Sequence, residues 1–176
     1  MKKTLASLAL LICFASASFA QDGLLNHLYM SFGYGFGGAP NANFSTKDFA
    51  IRSFDFSFGF RFNEHLSVFV PLALDDNLMN MTTTKNYNET GTLGLGASYT
   101  FNLGSRSFLE PVLSCNTTYI KSDLNYLTPK FEVRWGAKMG RFGPFVGLGV
   151  QYLHPYDNGT VPNMTMVYAK IGARLF

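Results

Sequence analysis

The amino-acid sequence predicts an all-β protein, an eight-stranded antiparallel up-and-down transmembrane β-barrel, and three observations carry that prediction. After residue 20 no uninterrupted apolar stretch approaches the roughly 20 residues that a membrane helix needs. Apolar residues instead recur at every second position in eight separate stretches, the period of a strand with one apolar face. The connections between these stretches alternate short and long, as in a barrel with tight turns at one end and larger loops at the other.

Residues 1–20 are expected to be a cleaved signal peptide. Lys2 and Lys3 precede an apolar run from Leu5 to Phe14, and small residues lead to Ser18-Phe19-Ala20, the order of a charged region, an apolar region and a cleavage site. Cys13 follows Ile12, where a lipoprotein box has a small residue, so lipid attachment is not expected. The remaining 156 residues, 21–176, suffice for one barrel domain with a real core. Without Lys2 and Lys3, twelve basic residues face eleven acidic ones, a balance that offers no pull on nucleic acid. Cys115 is the one cysteine after the leader, which excludes a disulfide within the mature chain.

The first stretch sets Leu28, Met30, Phe32, Tyr34 and Phe36 against Tyr29, Ser31, Gly33 and Gly35. In the second, five phenylalanines (54, 56, 58, 60, 62) oppose Ser53, Asp55, Ser57, Gly59 and Arg61. The third opposes Leu66, Val68, Val70, Leu72 and Leu74 to Ser67, Phe69, Pro71 and Ala73, and the fourth Leu93, Leu95, Ala97, Tyr99 and Phe101 to Thr92, Gly94, Gly96, Ser98 and Thr100. The fifth, Ser107 to Tyr119, is less regular: Leu109, Leu113, Cys115 and Tyr119 face one way, Glu110, Ser114, Asn116 and Thr118 the other. The sixth has Phe131, Val133, Trp135, Ala137 and Met139 against Lys130, Glu132, Arg134, Gly136 and Lys138. The seventh places Val146, Leu148, Val150 and Tyr152 opposite Phe145, Gly147, Gly149 and Gln151, and the eighth places Val167, Ala169, Ile171, Ala173 and Leu175 opposite Tyr168, Lys170, Gly172 and Arg174. Short connections fall at 63–65, 103–106 and 140–143; long ones at about 38–48, 75–90, 120–128 and 154–163.

The alternative to a membrane barrel is a secreted soluble one with the apolar face inside. That would put the faces rich in Gly, Ser, Thr and Ala in water, although small residues suit a crowded interior better. With the polar face inward, the lumen receives Asp55, Glu110 and Glu132 with Arg61, Lys130, Arg134, Lys138, Lys170 and Arg174. Opposite charges can pair there, whereas one Lys or Arg at mid-membrane on the lipid face would cost about 2–4 kcal/mol. Strand directions predict an ion pair between Glu110 and Lys138. An interior of eight strands is just wide enough for side chains to fill, so an open channel is not expected, although the basic excess would favour anions in a narrow one.

In signal, alternation and loop asymmetry, residues 21–176 resemble the small bacterial outer-membrane barrel families, such as the OmpA transmembrane domain, OmpX and the opacity-type proteins. The loop asymmetry puts the short turns and both termini on the periplasmic side, and the resemblance implies residence in the bacterial outer membrane and contact with its lipids. It also implies that Phe176 is the terminal aromatic of the signal read by the outer-membrane assembly machinery. Tyr168 keeps that register, but Lys170, Gly172 and Arg174 fall where those families have apolar residues.

Three functions follow for weighing. The first is a structural or surface-interaction role, in which outer loops rich in Asn, Thr and Tyr meet an extracellular ligand. The second is a lipid A-modifying enzyme, which needs a nucleophile beside an oriented base; His154 with Asp157 is the candidate pair. The outer-membrane deacylases carry Ser two residues after such a His, where this chain has Tyr156, and no Glu follows Glu132. The third is the narrow channel. No cofactor is expected; Asp75, Asp76 and Glu89 have the oxygen chemistry for calcium, but solvated loop carboxylates are the plainer reading.

Overall fold

In the computed structural model the described residues are 27–39, 49–79, 86–119, 125–156 and 163–175. The expected leader, Asp157 and Phe176 lie outside them. The strands are β1 (Leu28–Gly38), β2 (Phe49–Arg61), β3 (Leu66–Met79), β4 (Asn86–Tyr99), β5 (Phe101–Leu103), β6 (Ser107–Thr118), β7 (Tyr126–Ala137), β8 (Phe142–Pro155) and β9 (Met164–Leu175). Each pairs antiparallel with its sequence neighbour, except that β4 and β5 are two pieces of one stave, both paired with β6. β1 pairs with β9, from Met30 opposite Leu175 to Gly38 opposite Val167, so the wall closes with eight staves and no free edge.

Ladder interruptions coincide with prolines, which have no N–H to give. The β3–β4 ladder skips Val70 and Pro71, and the β7–β8 ladder skips Thr128 and Pro129. The break at Thr100 lies across from the segment of β6 that contains Pro111. Two of the short turns hold a glycine at positive φ, Gly104 (75°) and Gly140 (65°), a conformation that a side chain would strain.

Alternation has the predicted hand. Outward residues are large and apolar: Leu95, Leu148 and Ile171 keep 69%, 68% and 63% of their surface exposed, in a continuous apolar exterior that water would not tolerate. Aromatic residues ring both ends. At one end His27 stacks on Phe60 at 5.3 Å and His65 on Tyr99 at 5.4 Å; at the other stand the exposed Tyr119, Tyr152 and Tyr156. Such girdles mark membrane interfaces. Above the apolar exterior Arg52 pairs with Asp76 across β2 and β3.

Two of the expected loops are shorter than predicted. β3 runs on to Met79 and pairs with β4 from Asn86, with Asp75, Asp76 and Asn77 opposite Thr90, Glu89 and Asn88. β7 begins at Tyr126 rather than near residue 130. Where a strand rises above the apolar belt its outward positions become polar, and the alternation that identifies a strand fades.

Candidate functional site

The lumen holds a chain of six buried charges in which acid and base alternate. Asp55 of β2 meets Lys170 of β9 (Oδ2 to Nζ, 2.8 Å), and the same Nζ lies 2.8 Å from Oε2 of Glu132 on β7. Glu132 Oε1 accepts from Arg134 Nε at 2.7 Å. Arg134 approaches Glu110 Oε2 of β6 at 3.6 Å, and Glu110 Oε1 accepts from Arg174 Nη1 of β9 at 2.5 Å. Burial of any one of these groups alone would cost several kcal/mol; alternation gives every charge an opposite neighbour.

Neutral side chains complete the network. Arg134 donates to the Tyr29 hydroxyl (3.0 Å) and Ser31 Oγ (3.3 Å), Tyr168 donates to Glu132 Oε2 (3.0 Å), Ser98 to Glu110 Oε1 (2.9 Å), and Arg174 to Thr100 Oγ1 (2.9 Å). Arg134 also lies over the Phe145 ring at 4.6 Å and Arg174 over Phe108 at 5.1 Å, which stabilises cations held away from water. Gly147 makes room for this arrangement: a Cβ there would lie 2.7 Å from Glu132 Oε1.

Of the residues expected in the lumen, Asp55, Glu110, Glu132, Arg134, Lys170 and Arg174 thus come together. Arg61 sits at the end of β2 and donates to the Leu175 carbonyl at 2.8 Å. Lys130 lines a cavity of about 20 Å³ with Asn116, Asp55 and Glu132. The expected Glu110–Lys138 pair is corrected: Glu110 takes Arg174 and Arg134 instead. The register explains it, since Ser107 faces Ala137 and the Lys138 N–H donates to the Arg106 carbonyl. Lys138 therefore stands four residues, roughly 13 Å, along the strand from Glu110.

Toward the end bearing the long connections the lumen changes character. Asp75, expected in a loop, is buried on the inner face, where its carboxylate accepts from Ser53 Oγ (2.6 Å) and Tyr126 OH (2.7 Å). Asp76, its chain neighbour, faces the other way and is taken by Arg52. The pair is therefore split by the pleat rather than joined as calcium ligands, and among the described residues no three His, Cys, Asp or Glu converge as a metal site. Beside Asp75 the lumen is closed by Ile51, Tyr126, Leu153, Met164 and Met166. Sequence reasoning missed this apolar cap, although Leu153, Met164 and Met166 continue the inward parity of Gln151 and Tyr168.

His154 lies outside the lumen. It is exposed on the outer face, stacks on Tyr152 at 6.5 Å, and its Nδ1 donates to Asn163 Oδ1 at 2.8 Å. Nearby, the Tyr156 and Thr117 hydroxyls share a hydrogen bond of 2.5 Å.

A closed wall, an apolar exterior between two aromatic rings and an ion-paired interior define the class of protein: a membrane-spanning eight-stranded β-barrel. No protein-family model matches the chain, and no curated protein sequence gives a significant match. Among solved structures it is similar to Neisserial surface protein A, with 16% identity and a TM-score of 0.60 over 84% of this chain and 96% of that one. It also matches a de novo designed transmembrane β-barrel (12% identity, TM-score 0.46, 85% of this chain and 94% of that one). A third match is the Yersinia pestis outer membrane protein Ail in a phospholipid bilayer nanodisc (11% identity, TM-score 0.44, 84% and 99%). The first likeness is one of fold, and it extends over nearly the whole of both barrels.

Proposed function

We propose that the chain is a resident of the bacterial outer membrane, a non-conducting and non-catalytic scaffold whose long connections face outward and meet extracellular partners. The observation that carries this reading is the filled lumen. The six-charge chain, its tyrosines and the apolar cap occupy the interior, and the cavity beside Lys130, about 20 Å³, has room for about one water. A barrel that neither passes nor encloses a solute does its work at its rim. The state of His154 favours the same reading, because its outward ring is engaged by Asn163 and Tyr152 and no described hydroxyl lies in hydrogen-bond contact with it.

Planar-bilayer recording of the purified barrel tests the first part: a quiet membrane is expected, and discrete conductance steps would overturn it. For the second part, cells displaying the wild type, and a variant with residues 80–85 and 157–162 replaced by short Gly-Ser turns, are applied to arrays of glycans and matrix proteins. Binding that depends on those segments is expected; identical patterns would remove the loop role. Lipid A mass spectra that differ between wild type and His154→Ala would restore the enzyme reading.

A further inference from the structure

The outer wall carries an apolar groove of about 690 Å³ close to the short-turn end. One ladder row runs from Phe32 through Ala173 to Pro144, and Ala137 of β7 lines the groove beside it. The next row up runs Tyr34, Ile171, Val146, Trp135. Ala173, Pro144 and Ala137 are small in a wall made of aromatic and long aliphatic side chains, so they form the floor of a trough bounded by Phe32 and Trp135. Since the trough opens on the apolar exterior, its occupant comes from the bilayer.

Basic residues stand in the turns next to the lining of the trough. Arg106 immediately precedes Ser107, another lining residue, and Lys138 immediately follows Ala137. The hydrogen bond from the Lys138 N–H to the Arg106 carbonyl, 2.8 Å, holds the two turns side by side. Arg141 stands at the tip of the β7–β8 turn, and both arginines are exposed. Among the described residues the one acidic side chain in the turns at this end is Glu64, in the β2–β3 turn, which the strand order places across the barrel from Arg141.

We propose that this is a site for an anionic phospholipid, with an acyl chain in the trough and the phosphate held by Arg106 and Arg141. An apolar slot beside turns that carry exposed arginines matches the two halves of such a lipid, and basic residues at a membrane surface attract anionic headgroups. The assignment to phospholipid rather than to lipid A rests on the proposed orientation, in which the short turns meet the periplasmic leaflet.

Native mass spectrometry of the full barrel, incubated separately with phosphatidylglycerol, phosphatidylethanolamine and lipid A, tests the proposal. One retained phosphatidylglycerol is expected, bound about tenfold more tightly than phosphatidylethanolamine. Arg106→Gln with Arg141→Gln should abolish that preference while leaving the acyl contribution. Ala173→Leu, which fills the trough, should weaken both lipids; Ala137→Leu makes the same test if the first variant fails to fold. Absence of a preference in the wild type, its survival in the arginine variant, or stronger retention of lipid A would overturn the site. The orientation is tested separately by Arg141→Cys in a Cys115→Ser background. Labelling of intact cells by a membrane-impermeant maleimide would overturn the orientation and the choice of leaflet, but not the binding measured in vitro.

Discussion

The two halves of the lumen reach the same end, a filled interior, by opposite chemistry. Toward the short turns, six charges alternate from Asp55 to Arg174 and each is held by partners on other staves. Toward the long connections, Ile51, Leu153, Met164 and Met166 close the barrel by apolar contact around Tyr126. Ionic filling is directional, so removal of one member strands the next. Apolar filling is not, and a change of shape can be absorbed. The first half should be brittle and the second forgiving.

Four substitutions test that contrast, each read as the urea midpoint of the barrel in lipid vesicles through the fluorescence of Trp135, the one tryptophan. Glu132→Ala should have the largest effect, a loss of about 3–5 kcal/mol, because Lys170, Arg134 and Tyr168 all lose an acceptor. Leu153→Ala removes volume from the cap and should lose about 2–4 kcal/mol. Gly147→Ala keeps every charge but pushes a methyl against the Glu132 carboxylate, for a loss of about 1–3 kcal/mol. Met166→Leu should change stability by less than about 1.5 kcal/mol. If Met166→Leu proved as damaging as Glu132→Ala, the distinction between the halves would fall.

The wall was legible in the sequence because lipid on one side imposes a period of two, and the alternate phenylalanines 54, 56, 58 and 60 of β2 show it most clearly. Loop boundaries were less so: Asp75, Asp76 and Asn77 look like loop residues, yet they pair in a ladder above the apolar belt. Inward parity identified which charges enter the lumen but not which pair, since Glu110 and Arg174 meet across the barrel from staves that are distant in sequence. The apolar cap was obscured for a different reason. Once the polar face had been assigned inward, Leu153, Met164 and Met166 had no expected place on it, although their parity put them there.

The order of charges along the chain also bears on assembly. Asp55, Glu110, Glu132 and Arg134 lie on strands made before β9, whereas Lys170 and Arg174 arrive on β9 itself. A sheet that lacks its last strand therefore carries three carboxylates against one guanidinium of this network. The β1–β9 seam that closes the wall therefore also brings in the two cations that balance those carboxylates.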